Sequence, residues 1–186
     1  MSQFYELTAP AVSPLSVADA KTYLKVTTTA DDTLITSLVD VVTQYGEKYT
    51  GREFRANAWK LTIDDFADRI EICKNPVASI TSIKYTVSGV LTDILSSVYY
   101  LKKTTQAALI LLKENQSWPE DLDDIEAGIE IVFVTAAYSL ASSQISHALK
   151  RHLSYLYMNR GDCDIKDAGK KSGAHDIYDQ FRISRV

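Results

Sequence analysis

The sequence predicts an α+β protein in which a helical bundle carries an antiparallel β insertion between its second and last long helices. Two patterns predict this class. Apolar residues recur at helical spacing up to residue 51 and again after residue 141, whereas from about residue 57 to 135 apolar and polar side chains alternate. With 186 residues and 46% apolar content, the chain is long enough to bury a core without metal or disulfide support.

Two N-terminal helices are predicted by capping signals and periodicity. Ser16 is followed three residues later by a carboxylate, a pattern typical of a helix N-terminus, and this first helix should end near Val26. After a polar break, Asp31 or Asp32 is expected to cap a longer helix that Gly51 ends. Its apolar positions follow the i, i+3, i+4 rule: Leu34, Ile35, Leu38, Val39, Val42, Tyr45 and Tyr49.

Strands are predicted where the helical period gives way to alternation. Trp59, Leu61 and Ile63 share one face while the residues between them are polar, as expected for a strand with one buried face. Ser88-Gly89 predicts a hairpin turn. Further strands are predicted at residues 70–72, 83–87, 99–102, 108–113 and 129–135, the last a near-continuous apolar run suited to a central strand. Residues 114–128 contain Pro119 and many carboxylates, which predicts an exposed loop pinned by Trp118.

The C-terminal part combines a helix with a polar segment and an apolar end. Ser142 is expected to cap the last long helix, and Gly161 to end it. The following residues are charged or small, which predicts flexibility. We therefore expect a body of residues 1–161, with helices over 16–50 and 142–160 and a β insertion over about 57–135, and then a flexible link and docking tail over 162–186.

Composition narrows the function classes. The net charge of -4 argues against a general nucleic-acid coat, which needs clustered Lys and Arg. Residues 1–144 hold 12 Lys+Arg against 19 Asp+Glu, and residues 145–186 hold 8 against 5, so the C-terminal part is basic. No run of eighteen uncharged apolar residues occurs and the N-terminus has no signal-peptide pattern, so we expect no membrane contact.

No catalytic, cofactor or metal site is predicted. Cys73 and Cys163 lack metal-ligand spacing, and His147 and His152 are five residues apart rather than four. Phosphate-binding glycine loops and GxSxG elbows are absent. One alternative is a metal-assisted hydrolase built on Asp64, Asp65 and the acidic loop. The other is a small nucleic-acid-binding or regulatory protein that uses the basic residues Arg151, Arg160, Lys170 and Lys171.

A set of motifs in fixed order carries a family resemblance. The chain contains PLSVADAKTYLKV, then YTGREF at the end of the second helix, then NPVASITSIKY, and finally ALKRHLSYLYMNRG. Over roughly residues 13–161 this order resembles the head-tail connector proteins, also called adaptor or head-completion proteins, of tailed bacteriophages and prophages.

The resemblance implies a structural neck protein of the virion, made in the host bacterial cytoplasm, and not an enzyme. It implies a ring, typically described as twelve-fold, that extends the DNA channel without binding DNA specifically. The implied partners are the portal protein, neighbouring copies, and a stopper or tail-completion protein. In that family the C-terminal segment reaches the portal, with docking on its own body as the alternative here. The predicted portal contacts are Tyr178, Phe181, Arg182, Ile183 and Arg185.

Overall fold

The computed structural model describes residues 3–9, 13–104, 106–137 and 142–183. It divides into two compact units, each with its own hydrophobic core. The β unit comprises residues 1–11 and 55–136, and the helical unit comprises residues 12–54 and 137–186. The fold is therefore mixed α and β, and the strand pairings among the described residues are all antiparallel.

The helical unit has five helices among its described residues. They are α1 (Val17–Leu24), α2 (Asp32–Thr50), α3 (Ser142–Met158), α4 (Ile165–Lys171) and α5 (Ala174–Asp179). The predicted apolar face of α2 is confirmed except at Leu34, which is exposed. Ile35, Val39 and Val42 are buried against Leu149 and Leu153 of α3 in one core. Within the described residues no helix is both long and apolar enough to cross a membrane.

The ends of α1 and α2 follow the predicted signals with one exception, whereas α3 begins at Ser142 itself and ends at Met158, three residues before Gly161. The backbone N–H of Asp19 donates to Ser16 Oγ at 3.0 Å, and Gly51 ends α2 in the left-handed conformation at φ 72°. Asp31 precedes α2 but makes no side-chain capping bond. Its carboxylate instead accepts hydrogen bonds from the Tyr157 hydroxyl and from Arg160 Nη2, the latter at 3.2 Å. Asp31 therefore joins α2 to the end of α3.

The β unit contains two antiparallel sheets. Its strands are β1 (Gln3–Ala9), β2 (Ala58–Ile63), β3 (Arg69–Ile72), β4 (Val77–Val87), β5 (Val90–Asp93), β6 (Tyr99–Lys103), β7 (Ala108–Leu112) and β8 (Ile129–Thr135). One sheet has the order β1-β2-β8-β4-β5 and the other the order β3-β7-β6. The alternating pattern of β2 is confirmed, since Leu61 and Ile63 are fully buried, and β8 lies at the centre of the larger sheet.

Two features differ from the sequence expectation. Residues 3–9 form β1, which pairs with β2, so the β unit includes a strand from the N-terminus as well as the predicted insertion. The first part of the 162–186 segment, expected to be a flexible link, instead carries α4 and the start of α5. Asp164 caps α4 by accepting the N–H of Asp167 at 2.8 Å, and Ala168 and Ala174 are fully buried. Capping and burial together order a segment whose composition is polar.

Candidate interaction sites

The predicted portal-contact residues lie on or just after α5. Tyr178 is fully buried in the helical core, Phe181 and Ile183 are half-buried, and Arg182 is exposed. Arg185 lies outside the described residues. The C-terminal tail, residues 176–186, thus docks on its own unit as far as the structure describes it. Tyr178 is a core residue of the helical unit, with no part of its side chain exposed, and its contact with a portal stays a prediction.

Backbone hydrogen bonds fix the end of this tail to the end of α2. The N–H of Ile183 donates to the carbonyl of Thr50 at 2.8 Å, and Arg52 Nε donates to the carbonyl of Phe181 at 2.6 Å. Ile183 also lies 3.6 Å from the position that a side chain on Gly51 would occupy. The YTGR motif therefore supplies both the end of α2 and the seat of the tail.

Tyr178 fits against a glycine that the sequence patterns did not single out. A Cβ on Gly46 would lie 2.7 Å from Phe54 Cε2 and 3.3 Å from Tyr178 Cζ. The absence of a side chain at this position of α2 lets both aromatic rings approach the helix. Burial raises the pKa of the Tyr178 phenol, whose hydroxyl has no hydrogen-bond partner among the described residues.

Two histidines hold α4 and α5 onto the unit. His152 is fully buried and its Nε2 donates to the carbonyl of Ile165 at 2.7 Å, which leaves Nδ1 as an unpartnered acceptor within the described chain. Burial lowers the pKa of His152 to about 4. His175 Nε2 lies 3.0 Å from the Tyr45 hydroxyl, and its ring centroid lies 4.5 Å from that of Tyr49. Burial, opposed by Asp179, lowers the pKa of His175 as well.

The basic residues of the nucleic-acid alternative do not form one free surface. Arg160 donates to Asp31 and, at 3.0 Å through Nε, to the carbonyl of Tyr157. The Arg151 guanidinium lies against Gly173, where a Cβ would be 2.4 Å from Nη2. Lys170 and Lys171 are exposed at the end of α4, where they complement its dipole. Two of the four predicted contacts are therefore engaged inside the helical unit.

The acidic residues of the hydrolase alternative line a groove of about 840 Å³ in the β unit. Asp64 accepts the Ala127 N–H at 3.1 Å, and Asp123 accepts the N–H groups of Ser88 and Gly89 at 2.9 and 2.8 Å. These carboxylates thus hold loops and the β4–β5 turn in place. Among the described residues, no group of three or more ligating side chains is placed to hold a metal ion.

The groove is closed at one side by the predicted tryptophan anchor. Trp118 stacks on Phe66 with ring centroids 4.8 Å apart, and its Nε1 donates to the carbonyl of Ala67 at 3.0 Å. The prediction that Trp118 pins the acidic loop is therefore confirmed. The loop therefore has a structural role in the β unit.

Comparison with known proteins gives the class of this fold. It matches a chain from the neck of an empty gene transfer agent (GTA) particle computed with C6 symmetry, at 18% identity and a TM-score of 0.74, over 100% of this chain and 97% of that one. A chain from the virion of the native particle matches at 19% identity and 0.77, over 98% and 97%. One from the native neck computed with C12 symmetry matches at 20% and 0.72, over 97% of both. The fold is that of phage-like particle subunits.

Part of the sequence matches a family model. Residues 14–89 match the model of the phage gp6-like head-tail connector proteins, a stretch that contains α1, α2 and strands β2 to β4. The predicted resemblance to head-tail connectors is therefore confirmed. No curated protein matches the chain.

Proposed function

We propose that this chain is a structural subunit of the neck of a phage-like particle, where copies form a ring that joins the portal to the stopper or tail. The observation that carries the proposal is the connector family match within a fold shared, over the whole chain, with neck subunits. The matched neck structures were computed with C6 and C12 symmetry, and copies repeated around an axis are what a ring requires. The protein acts by shape and binding rather than by catalysis, in the assembled virion after synthesis in the host bacterial cytoplasm.

The portal contact is assigned to the outer side of the C-terminal tail. Arg182 is exposed, with its guanidinium carbon 5.3 Å from the centroid of the Tyr49 ring, while Phe181 and Ile183 are half-buried. A partner can reach these three side chains without displacing α5. Arg185 follows three residues later in the sequence and adds a second positive charge to the tail. Tyr178 then serves to fix the tail rather than to touch the portal.

The β unit supplies a surface that repels DNA. It holds 8 Lys+Arg against 13 Asp+Glu, a net charge of -5. Phosphates of a passing duplex are disfavoured beside such a surface, which suits a channel that must not retain its cargo. We expect no retention of duplex DNA by the assembled ring at physiological salt. Tight binding in a filter or mobility-shift assay would contradict this part of the proposal.

Native mass spectrometry of the purified chain mixed with the portal protein of its own phage tests the function directly. A stoichiometric ring on the portal is expected. Arg182→Glu combined with Arg185→Glu should weaken the attachment at least tenfold. Lys102→Glu, an exposed change of the same sign on β6, is the matched control and should bind as the parent does. A chain that never associates with portal or with itself would refute the proposed function.

A further inference from the structure

The larger sheet of the β unit is open at both sides. In the order β1-β2-β8-β4-β5, β1 pairs only with β2 and β5 pairs only with β4 among the described residues. Each outer strand therefore presents a row of backbone N–H and C=O groups that no described strand satisfies. Such edges template the addition of another strand.

Both edges lack two of the usual protections against strand addition. Natural edges are blunted by lysine, proline or bulges, yet neither lysine nor proline occurs in Gln3–Ala9 or Val90–Asp93. The register shift of β1 lies between Leu7 and Ala9, so Gln3–Leu7 keeps a regular register with β2. Large apolar side chains are exposed on both strands instead. On β1 Phe4 is 64% exposed, and on β5 Val90 and Leu91 are 63% and 49% exposed. Both edges are thus suited to contact with protein rather than with water.

Charge does not oppose contact between the two edges. The single charged residue of β1, Glu6, is bound to Lys60 Nζ at 2.9 Å, and the single charged residue of β5, Asp93, lies 3.7 Å from Lys84 Nζ. Each carboxylate is therefore compensated by a lysine on the adjacent strand of its own sheet. The two edges can approach without an unpaired like-charge repulsion.

The direction of the strands makes the two edges complementary to each other. Each strand of this sheet runs opposite to its neighbour, so the first and the fifth strand in the order, β1 and β5, run in the same direction. Phe4 and Asp93 are the two ends of one row of paired residues that crosses the sheet, so their side chains lie on the same face. Leu91 lies two residues before Asp93 on β5 and therefore shares this face. A rotated second copy can place its β5 beside β1 in parallel, on matching faces.

We propose that β1 of one copy pairs with β5 of the next, so that an intermolecular β-sheet joins neighbouring subunits. The proposal rests on the ring of the proposed function. A contact between two different surfaces of one chain is heterologous, and repeating it around an axis closes a ring and leaves no edge unpaired. A strand from an unrelated protein would pair with one edge of each copy and leave the other edge unpaired. Copies of this chain can pair both edges, so a second copy is the partner that we propose.

Disulfide cross-linking between the edges tests this pairing in the full chain. The background replaces Cys73 and Cys163 by serine, and Phe4→Cys is combined with Leu91→Cys or, for a shifted register, with Asp93→Cys. Within one copy β1 and β5 are four strand spacings apart, about 19 Å, whereas a disulfide requires Cα atoms within about 7 Å. Only a bond between copies can therefore form.

Non-reducing electrophoresis of chain assembled on its portal protein should show a ladder of covalent multimers with one of the two pairs. Mixing the Phe4→Cys chain with the Leu91→Cys or Asp93→Cys chain should give covalent dimers and nothing larger. Phe4→Cys combined with Tyr100→Cys is the matched control, since Tyr100 is 44% exposed on β6, a strand of the other sheet of the β unit, and it should give no ladder.

The outcomes separate this proposal from the proposed function. Rings seen by native mass spectrometry without a ladder from either pair would overturn the edge pairing and leave the ring intact. Dimers formed by the Phe4→Cys chain alone would indicate symmetric pairing of two β1 strands and would overturn it as well. If no ring forms under any condition, both proposals fail together.

Discussion

Acid should weaken the helical unit through His152. The folded unit holds this imidazole neutral, with Nε2–H donating to Ile165 and Nδ1 facing no donor or acceptor among the described residues. Protonation would add a second donor in a buried position without an acceptor, and burial accordingly lowers the pKa of His152 from 6.5 to about 4. Because the folded pKa is lowered, the unfolded chain takes up the proton first as pH falls.

The magnitude follows from linkage. The stabilisation is fully present above pH 6.5 and is lost progressively as pH falls from 6.5 to about 4. A difference of about 2.5 pK units corresponds to about 3 kcal/mol of unfolding free energy over that range. His175, whose pKa is also lowered mainly by burial, adds a loss of the same sign. This is a large share of the stability of a small domain.

Urea unfolding at several pH values measures this effect. Both tryptophans, Trp59 and Trp118, belong to the β unit, so far-UV circular dichroism or hydrogen exchange of α3 and α4 reports the helical unit better than fluorescence does. His152→Gln can retain a donor toward Ile165 but does not titrate, so the unfolding free energy of this variant should depend less on pH. His147→Gln, on the exposed face of α3, is the control. If the unfolding free energy of His152→Gln and of the parent fell equally steeply between pH 6.5 and 4, the reasoning would be refuted.

Three further substitutions follow from the packing. Gly46→Ala places a Cβ 2.7 Å from Phe54 and should lower the free energy of unfolding in urea by about 1–3 kcal/mol. Ser37→Ala, on the exposed face of α2, is the control and should change it little; equal effects of the two substitutions would contradict the close approach. Tyr178→Phe removes a buried hydroxyl without a described partner and should be neutral or stabilising, so a loss above about 1 kcal/mol would indicate a hidden partner. Asp123→Ala leaves two turn N–H groups without their carboxylate and should cost about 1 kcal/mol or more, with hydrogen exchange rising at Ser88 and Gly89; unchanged exchange would refute the capping role.

The elements that the sequence predicted correctly are those encoded by neighbouring residues. Ser16 caps α1 within three residues, Gly51 ends α2 where the periodicity ends, and the alternation at Leu61 and Ile63 is itself the burial pattern of a strand. These signals need no knowledge of the rest of the chain. They also positioned the loop at Trp118, because a tryptophan in a polar segment must find an apolar partner.

The elements that the sequence did not predict depend on distant partners. β1 is a short strand whose first residue, Gln3, pairs with Ile63, so its existence rests on a neighbour sixty positions away. In α4, Gly169 is buried because the His175 and His152 rings pack against it, so closely that an added Cβ would lie 2.6 Å from His175 and 3.3 Å from His152. A polar composition predicts flexibility only when no other part of the chain packs on the segment. Here His152 of α3 and His175 of α5 pack on α4.

Burial of Tyr178 also limits how the tail can bind a portal. A buried tyrosine removes roughly 150–250 Å² from water, and this burial favours the packed tail over a state with α5 released. Binding that required release would lose affinity in proportion to the small fraction of released chains. If portal binding uses only the outer side of the tail, Tyr178→Ala, which loosens α5, should weaken attachment because the tail is no longer held in place. Tyr178→Phe keeps the packing and should bind as the parent does. Attachment that tightens in Tyr178→Ala would show instead that the portal binds the released tail.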